Sequence, residues 1–401
     1  MRLRLHCGPN GYALIAHILI VMKKLNLLAP ILALASAAAI AAAGSVSRQT
    51  KAGNAVNASV VRVENRGLLF TDNSAGVTGT DAGYSIQFRK QALWLFGDVF
   101  LQDSVAPAKP YVGAVSNCAL LAPRSGGVAA LRQYRFLTDP ATGLARQVLP
   151  LQPGEGKDVR LWPFGGWYDA HSDRVNLFYA RVRVTGSGPL DFHVDGYGLA
   201  QSQIEPAETI HFARIPAGPN EDLWWTGANG EPVFGSAVVS GSRDGYVYVV
   251  GFQQRGATKV GKLARVPRDQ ATDRGAYVYY AGGDAAPHWT RDISASADVE
   301  GLAGFPSELS VAWNPFLGGF LAVHSIGLTD RARLSVASAP WGPYRAIAEI
   351  GTPKRALSSA FCYAAKEHPE LAEDRARIIY VTYVDSGRYW LELLKVTLQK
   401  D

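Results

Sequence analysis

DAGYSIQFRKQALWLFGDVF, residues 81–100, reads as two strands joined by a tight turn. The strand-like run GYSIQF leads into the polar turn RKQ, and the apolar run Leu93–Phe96 returns from it. Such a unit is a hairpin. The same arrangement recurs at Val175–Tyr179, Tyr246–Val250, Phe320–His324 and Ile378–Tyr383, each run following a polar or Gly-containing turn. VFGSAVV and SELSVAW are strand-like runs standing before two of these turns. The hairpin strands start at 93, 175, 246, 320 and 378. Five similar units at this spacing predict an all-β, five-bladed β-propeller over residues 59–401. A two-sheet sandwich is the competing fold, but it finishes within about 100–250 residues. Val60–Phe70 is strand-like and precedes the first hairpin, so it is expected to complete the last blade and close the ring.

Composition agrees with one folded body. Of 401 residues, 48% are hydrophobic and 18% charged, which excludes a disordered chain. The 41 Gly and 22 Pro supply turns without a collagen-like period. Residues 1–43 hold four basic residues (Arg2, Arg4, Lys23, Lys24) and no acid, so the rest of the +6 net charge is only +2. A nearly neutral body gives no electrostatic reason to expect nucleic acid as partner.

Lys23-Lys24 followed by LNLLAPILALASAAAIAAAG has the basic, apolar and small-residue regions of a secretory signal peptide. Cleavage after Ala43 fits the small residues there, and Met22 is the expected initiator. An uncleaved membrane anchor is the alternative, since about 20 apolar residues can span a bilayer. The expectation is therefore export to the periplasm or beyond, with no stable membrane insertion after cleavage. Residues 44–58 are small and polar and read as a linker. Cys118 and Cys362 remain in the mature chain, as a disulfide or as two buried thiols.

The chemistry must come from scattered side chains. HExxH, paired CxxC, GxSxG and phosphate-binding glycine loops are all missing from the sequence. No metal or organic cofactor is expected, and no oxygen-ligand loop supports a structural calcium. Carboxylates in a cleft are the natural candidates. Asp81 lies just before the first inner strand, and Asp98 interrupts the apolar run LWLFGDVFL. A charge between Phe96 and Phe100 needs a partner or a wet cavity, although Gly97-Asp98 could also make a simple bend. Glu308 begins a later inner strand in a position analogous to Asp81, where it could orient substrate or tune a neighbour. Trp162, Trp167 and Tyr168 could stack on a sugar ring, although most propeller tryptophans pack between blades; Trp224, Trp225 and Trp313 offer similar surfaces. His193 and Asp195, in DFHVDGYG, could form a small polar site.

DAGYSIQFRKQALWLFGDVF resembles the opening blade of the domain-of-unknown-function 4185 proteins, a group that includes glycoside hydrolase family 183. VFGSAVVSGSRDGYVYVVGF, LSVAWNPFLGGFLAVHS, SAPWGPYRAI, and YAAKEHPEL followed by RIIYVTYVD extend the resemblance over about residues 62–398. The resemblance implies a five-bladed propeller and endo-acting cleavage of D-arabinofuranose polymers. It also implies a catalytic acidic pair in the first blade, which falls on Asp81 and Asp98. One position departs: an Asn-Ser pair is expected on the next strand, and Asn117-Cys118 stands there. The expected function is thus hydrolysis of furanosidic bonds in a polysaccharide by a monomer. One aspartate would protonate the departing oxygen, and the other would activate water or attack the anomeric carbon. Glu308, Trp162, Trp167 and His193 are the candidate substrate-binding residues. A non-catalytic glycan-binding propeller and a protein-interaction scaffold are the rival readings.

Overall fold

The computed structural model describes residues 57–102, 112–186, 188, 190–204, 210–219, 221–353 and 360–400. The leader, and the linker through residue 56, lie outside the described residues. Five small antiparallel sheets form a five-bladed β-propeller. Blade I comprises Val77–Phe88, Gln91–Leu101, Gly113–Pro123 and Arg135–Phe136. Blade II comprises Val159–Asp169, Arg174–Val184, Phe192–Ile204 and Ile210–Ile215. Blade III has Val233–Val238, Tyr246–Arg255, Thr258–Pro267, Val278–Tyr280 and Trp289–Thr290; blade IV has Ser310–Asn314, Gly319–Ser325, Arg331–Ala337 and Arg345–Gly351. Blade V is built from both ends of the chain: Cys362–Glu367, Ile378–Asp385, Trp390–Lys400 and finally Ala58–Leu68.

Each of the five runs singled out in the sequence is the second strand of its blade. Ala58–Leu68 pairs antiparallel with Trp390–Lys400, from Ala58↔Lys400 to Leu68↔Glu392, and closes the ring as expected. The first strand of each blade touches the first strand of the next, in cyclic order back to blade I. Within the short segment Val184–His193, which groups apart from this body, the Thr185 N–H donates to the Asp191 carbonyl at 2.9 Å. Among the described residues no helix is long and apolar enough to cross a membrane.

The second strands read as continuous apolar runs because both of their faces are covered. Leu93 and Leu95 share a core with Leu161 and Leu177 of blade II. Trp94 and Phe96, pointing the other way, share a second core with Tyr380, Leu391 and Leu393 of blade V. Leu95 is fully buried, so Leu95→Ala should cost about 2–5 kcal/mol, read as an earlier midpoint in denaturant unfolding. A loss below about 1 kcal/mol would mean that the seam closes over the missing side chain.

Candidate active site

Asp81 owes its orientation to a break in the sheet. The pairing of Val77–Phe88 with Gln91–Leu101 shifts register between Gly79 and Asp81 and again between Ala82 and Tyr84. At this bulge Ala82 and Gly83 take φ values of 65° and 80°, in the left-handed region. Bulges bend a strand and re-aim side chains. The Asp81 carboxylate accepts from the Ala82 N–H at 2.5 Å and from the Tyr389 hydroxyl at 3.5 Å, and is hydrogen-bonded to Tyr363. Both tyrosines come from blade V. The Tyr389 turn is anchored there by the Thr80 N–H, which donates to the Tyr389 carbonyl at 2.8 Å.

Asp98 lies on the adjoining strand, one residue beyond Gly97, the direct partner of Asp81. Its side chain is 23% exposed and faces Arg160, whose Nε is 3.8 Å away. Trp162 stands beside it. A β-carbon at Gly97 would meet the indole Cδ1 at 3.3 Å, so glycine in FGD makes room for the ring.

Glu308, immediately before the first strand of blade IV, completes the cluster. Its Oε2 accepts from Lys366 Nζ at 2.6 Å, and this lysine side chain is only 2% exposed. Lys366 also donates to the carbonyls of Ala82, at 2.9 Å, and Ala364, at 2.7 Å. Lys259 lies near Glu308, with Nζ donating to Ser307 Oγ at 2.5 Å and to the Pro306 carbonyl. A chain of buried rings runs beside these charges: Tyr84, Phe164, Tyr197, Phe252 and Phe305 meet in sequence at centroid distances of 5.4–6.3 Å. Lys366 sits over Tyr84 and Lys259 over Phe252.

This low-dielectric setting separates the two aspartates. Burial raises the Asp81 carboxyl to about 7, with the Glu308 and Asp98 charges adding to the effect and the Tyr363 and Ala82 hydrogen bonds opposing it. Burial also raises Asp98, but Arg160 and then Trp162 hold it down to about 6. Lys259 is pushed down to about 8 by burial, against the pull of Glu308. Tyr363 and Tyr389 are driven well above the ordinary phenol range by burial and by Asp81. They therefore remain neutral hydrogen-bond donors. One carboxyl is thus suited to holding a proton near neutrality, and its neighbour gives one up more readily.

Of the sequence candidates, Asp81, Asp98, Glu308 and Trp162 come together. Trp167 does not join them: it is 7% exposed and packs against Phe178, with centroids 5.9 Å apart. Trp224 and Trp225 are buried against each other and Tyr277, as blade packing. His193 is exposed, and Asp195 is held by Arg181 and Arg183 at 3.2 and 3.1 Å. Cys118 and Cys362 are both buried free thiols. Asn117, at the departing pair, is fully buried, donating to the Leu149 and Leu161 carbonyls and accepting from the Val148 and Leu149 N–H groups. Among the described residues no group of three or more His, Cys, Asp or Glu side chains is arranged to hold a metal ion. Lys366, Tyr363, Tyr389 and Arg160 were not evident from sequence. For Lys366 a signal existed: a lysine inside the apolar run CYAAKEH breaks the same rule that marks Asp98.

Comparison with solved structures finds glycoside hydrolases. An α-L-arabinofuranosidase from Podospora anserina, in complex with cellotriose, aligns at 9% identity and a TM-score of 0.44, over 83% of this chain and 94% of that one. A GH43_1 enzyme from Xanthomonas citri aligns at 13% identity and 0.46, over 82% and 90%. A family 117 glycoside hydrolase from the marine bacterium Zobellia galactanivorans aligns at 10% identity and 0.45, over 84% and 90%. Comparison with curated protein sequences returned no match. A family profile, by contrast, matches residues 69–394, from the end of the first strand into the last. The chain therefore belongs to the family described as domain of unknown function (DUF4185).

Proposed function

We propose that this propeller is a glycoside hydrolase that cleaves furanosidic bonds in a D-arabinofuranose-containing polysaccharide outside the cytoplasm. Asp81 acts as general acid, and Asp98 as the base that activates water or the nucleophile that attacks the anomeric carbon. The observation that carries this reading is the unequal setting of two carboxyls on adjoining strands. Asp81 is surrounded by anions and neutral phenols, whereas Asp98 faces the Arg160 guanidinium. Glycoside hydrolysis requires one carboxyl that keeps its proton and one that has lost it. The resemblance of residues 81–100 to the opening blade of the domain-of-unknown-function 4185 proteins, whose characterised members cleave D-arabinofuranose polymers, supports the same pair. Trp162, half-buried beside Asp98, offers an aromatic face to the sugar.

The test is incubation of residues 44–401 with D-arabinan and a panel of other furanose polymers, with products separated by size. Oligosaccharides from D-arabinan are the expected result. Release from another furanan alone would keep the reaction and replace the substrate. Binding without product on every glycan would replace hydrolysis by glycan binding.

A further inference from the structure

We propose that Lys366 is the positioning residue of the acidic cluster, a buried cation that ties the Glu308 carboxylate and the Ala82 carbonyl into one arrangement with the Asp81 bulge. The proposal deepens the hydrolase reading but does not require it to be observed.

Three blades meet at this one ammonium. Lys366 belongs to the first strand of blade V, Ala82 to that of blade I, and Glu308 to the segment entering blade IV. Its three N–H donors match three acceptors: Glu308 Oε2 at 2.6 Å, Ala364 O at 2.7 Å and Ala82 O at 2.9 Å. A lysine whose side chain is 2% exposed gains nothing from water, so its charge depends on these partners. Both carbonyls belong to residues held at positive φ, Ala82 at 65° and Ala364 at 59°. Alanine occupies that region at a cost, and a charge-assisted bond to each carbonyl offsets it and holds the bulges. Lys366 thereby fixes the backbone from which Asp81 projects.

It also sets the charge of that neighbourhood. Asp81 is faced by Glu308, Asp98, Tyr363 and Tyr389, while Lys366 and Lys259 stand at Glu308 and Arg160 at Asp98. Lys366 holds the Glu308 carboxylate in this cluster, and Glu308 is one of the charges that raise Asp81. Without Lys366 a cation is lost from this acidic cluster, which favours the protonated form of Asp81.

The experiment is a carboxyl-carbon NMR titration of the protein labelled at Asp and Glu, comparing the parent with Lys366→Met and Lys366→Arg. This readout needs no substrate. Lys366→Met should move the Asp81 titration to higher pH by about half a unit or more, whereas Lys366→Arg, which keeps the charge, should leave it close to the parent. Should Lys366→Met fail to fold, Glu308→Gln breaks the pair from the other side. That variant removes an anion and frees a cation, so the Asp81 midpoint should fall. A folded Lys366→Met protein with the parent's Asp81 titration, or an unmoved midpoint in Glu308→Gln, overturns the proposal. A parent that titrates as expected but cleaves no furanan would reject the hydrolase reading and leave this inference standing.

Discussion

Asp81→Asn should lower cleavage of a polymeric furanoside by roughly 10²–10⁴-fold, while activity toward a nitrophenyl furanoside falls far less. A sugar alkoxide is a poor leaving group and needs the proton that Asp81 supplies. Nitrophenolate departs without one, so the loss of the acid is felt mainly on the natural bond. Asp98→Asn should depress both substrates together, because the water or nucleophile is needed whatever leaves. Both variants should fold. Asp81 has its carboxyl raised to about 7 by burial and neighbouring anions, so its ionisation opposes the folded state. Its stabilising contribution is full below the unfolded value near 4 and is lost as pH rises through about 7. Replacing it with a neutral amide removes that loss, and the Asn oxygen can still accept from the Ala82 N–H. Unfolding curves at pH 8 should therefore show Asp81→Asn at least as stable as the parent. If Asp98→Asn, not Asp81→Asn, spares the aryl substrate, the two roles are exchanged. If neither variant loses activity, the catalytic pair lies elsewhere.

The blades were legible because of how their second strands pack. Leu93–Phe96 is apolar throughout since odd and even side chains enter different seams, so no polar face interrupts the pattern. The ring closure was legible for a related reason: Val60–Phe70 had strand character but no hairpin partner nearby in sequence. Asp98 stood out as a charge in an apolar run. The groups that act on it and on Asp81 did not, because they arrive from other blades. Arg160 comes from blade II, Tyr363 and Lys366 from the first strand of blade V, and Tyr389 from a later turn. Only the closure of the ring brings residues some 300 positions apart into hydrogen-bond reach, as the Tyr389–Asp81 contact shows. The aromatic residues misled in the opposite direction. Trp162 and Trp167 share one strand, yet a register shift between Pro163 and Gly166 separates them, and the second indole turns to Phe178. Local sequence carries no mark of that shift beyond the glycine pair Gly165-Gly166.

The pH dependence of cleavage should be a narrow bell centred near 6.5. Asp98 must be ionised to act as base or nucleophile, so kcat/KM should rise with pH through about 6. Asp81 must keep its proton to act as acid, so kcat/KM should fall again through about 7. Outside this window each limb should drop about tenfold per pH unit, leaving roughly one hundredth of the optimum two units beyond either limb. The narrowness follows from the shared site. The Asp98 anion is one of the charges that raise Asp81, and the two protons leave as a coupled pair. Arg160 provides a handle on one limb alone. It is the first of the groups that hold Asp98 down, so Arg160→Gln should shift the rising limb to higher pH and narrow the bell further. Glu308→Gln acts on the other limb, moving the falling side to lower pH by removing an anion from Asp81. The profile should be recorded as kcat/KM on the polymeric furanoside, whose leaving group needs the acid, from pH 4 to 9 for the parent and both variants. Shifts confined to the expected limbs support Asp98 and Asp81 in their stated roles. A flat profile across pH 5–8 in the parent would mean that neither carboxyl's ionisation controls the reaction, and the acid–base assignment would fall.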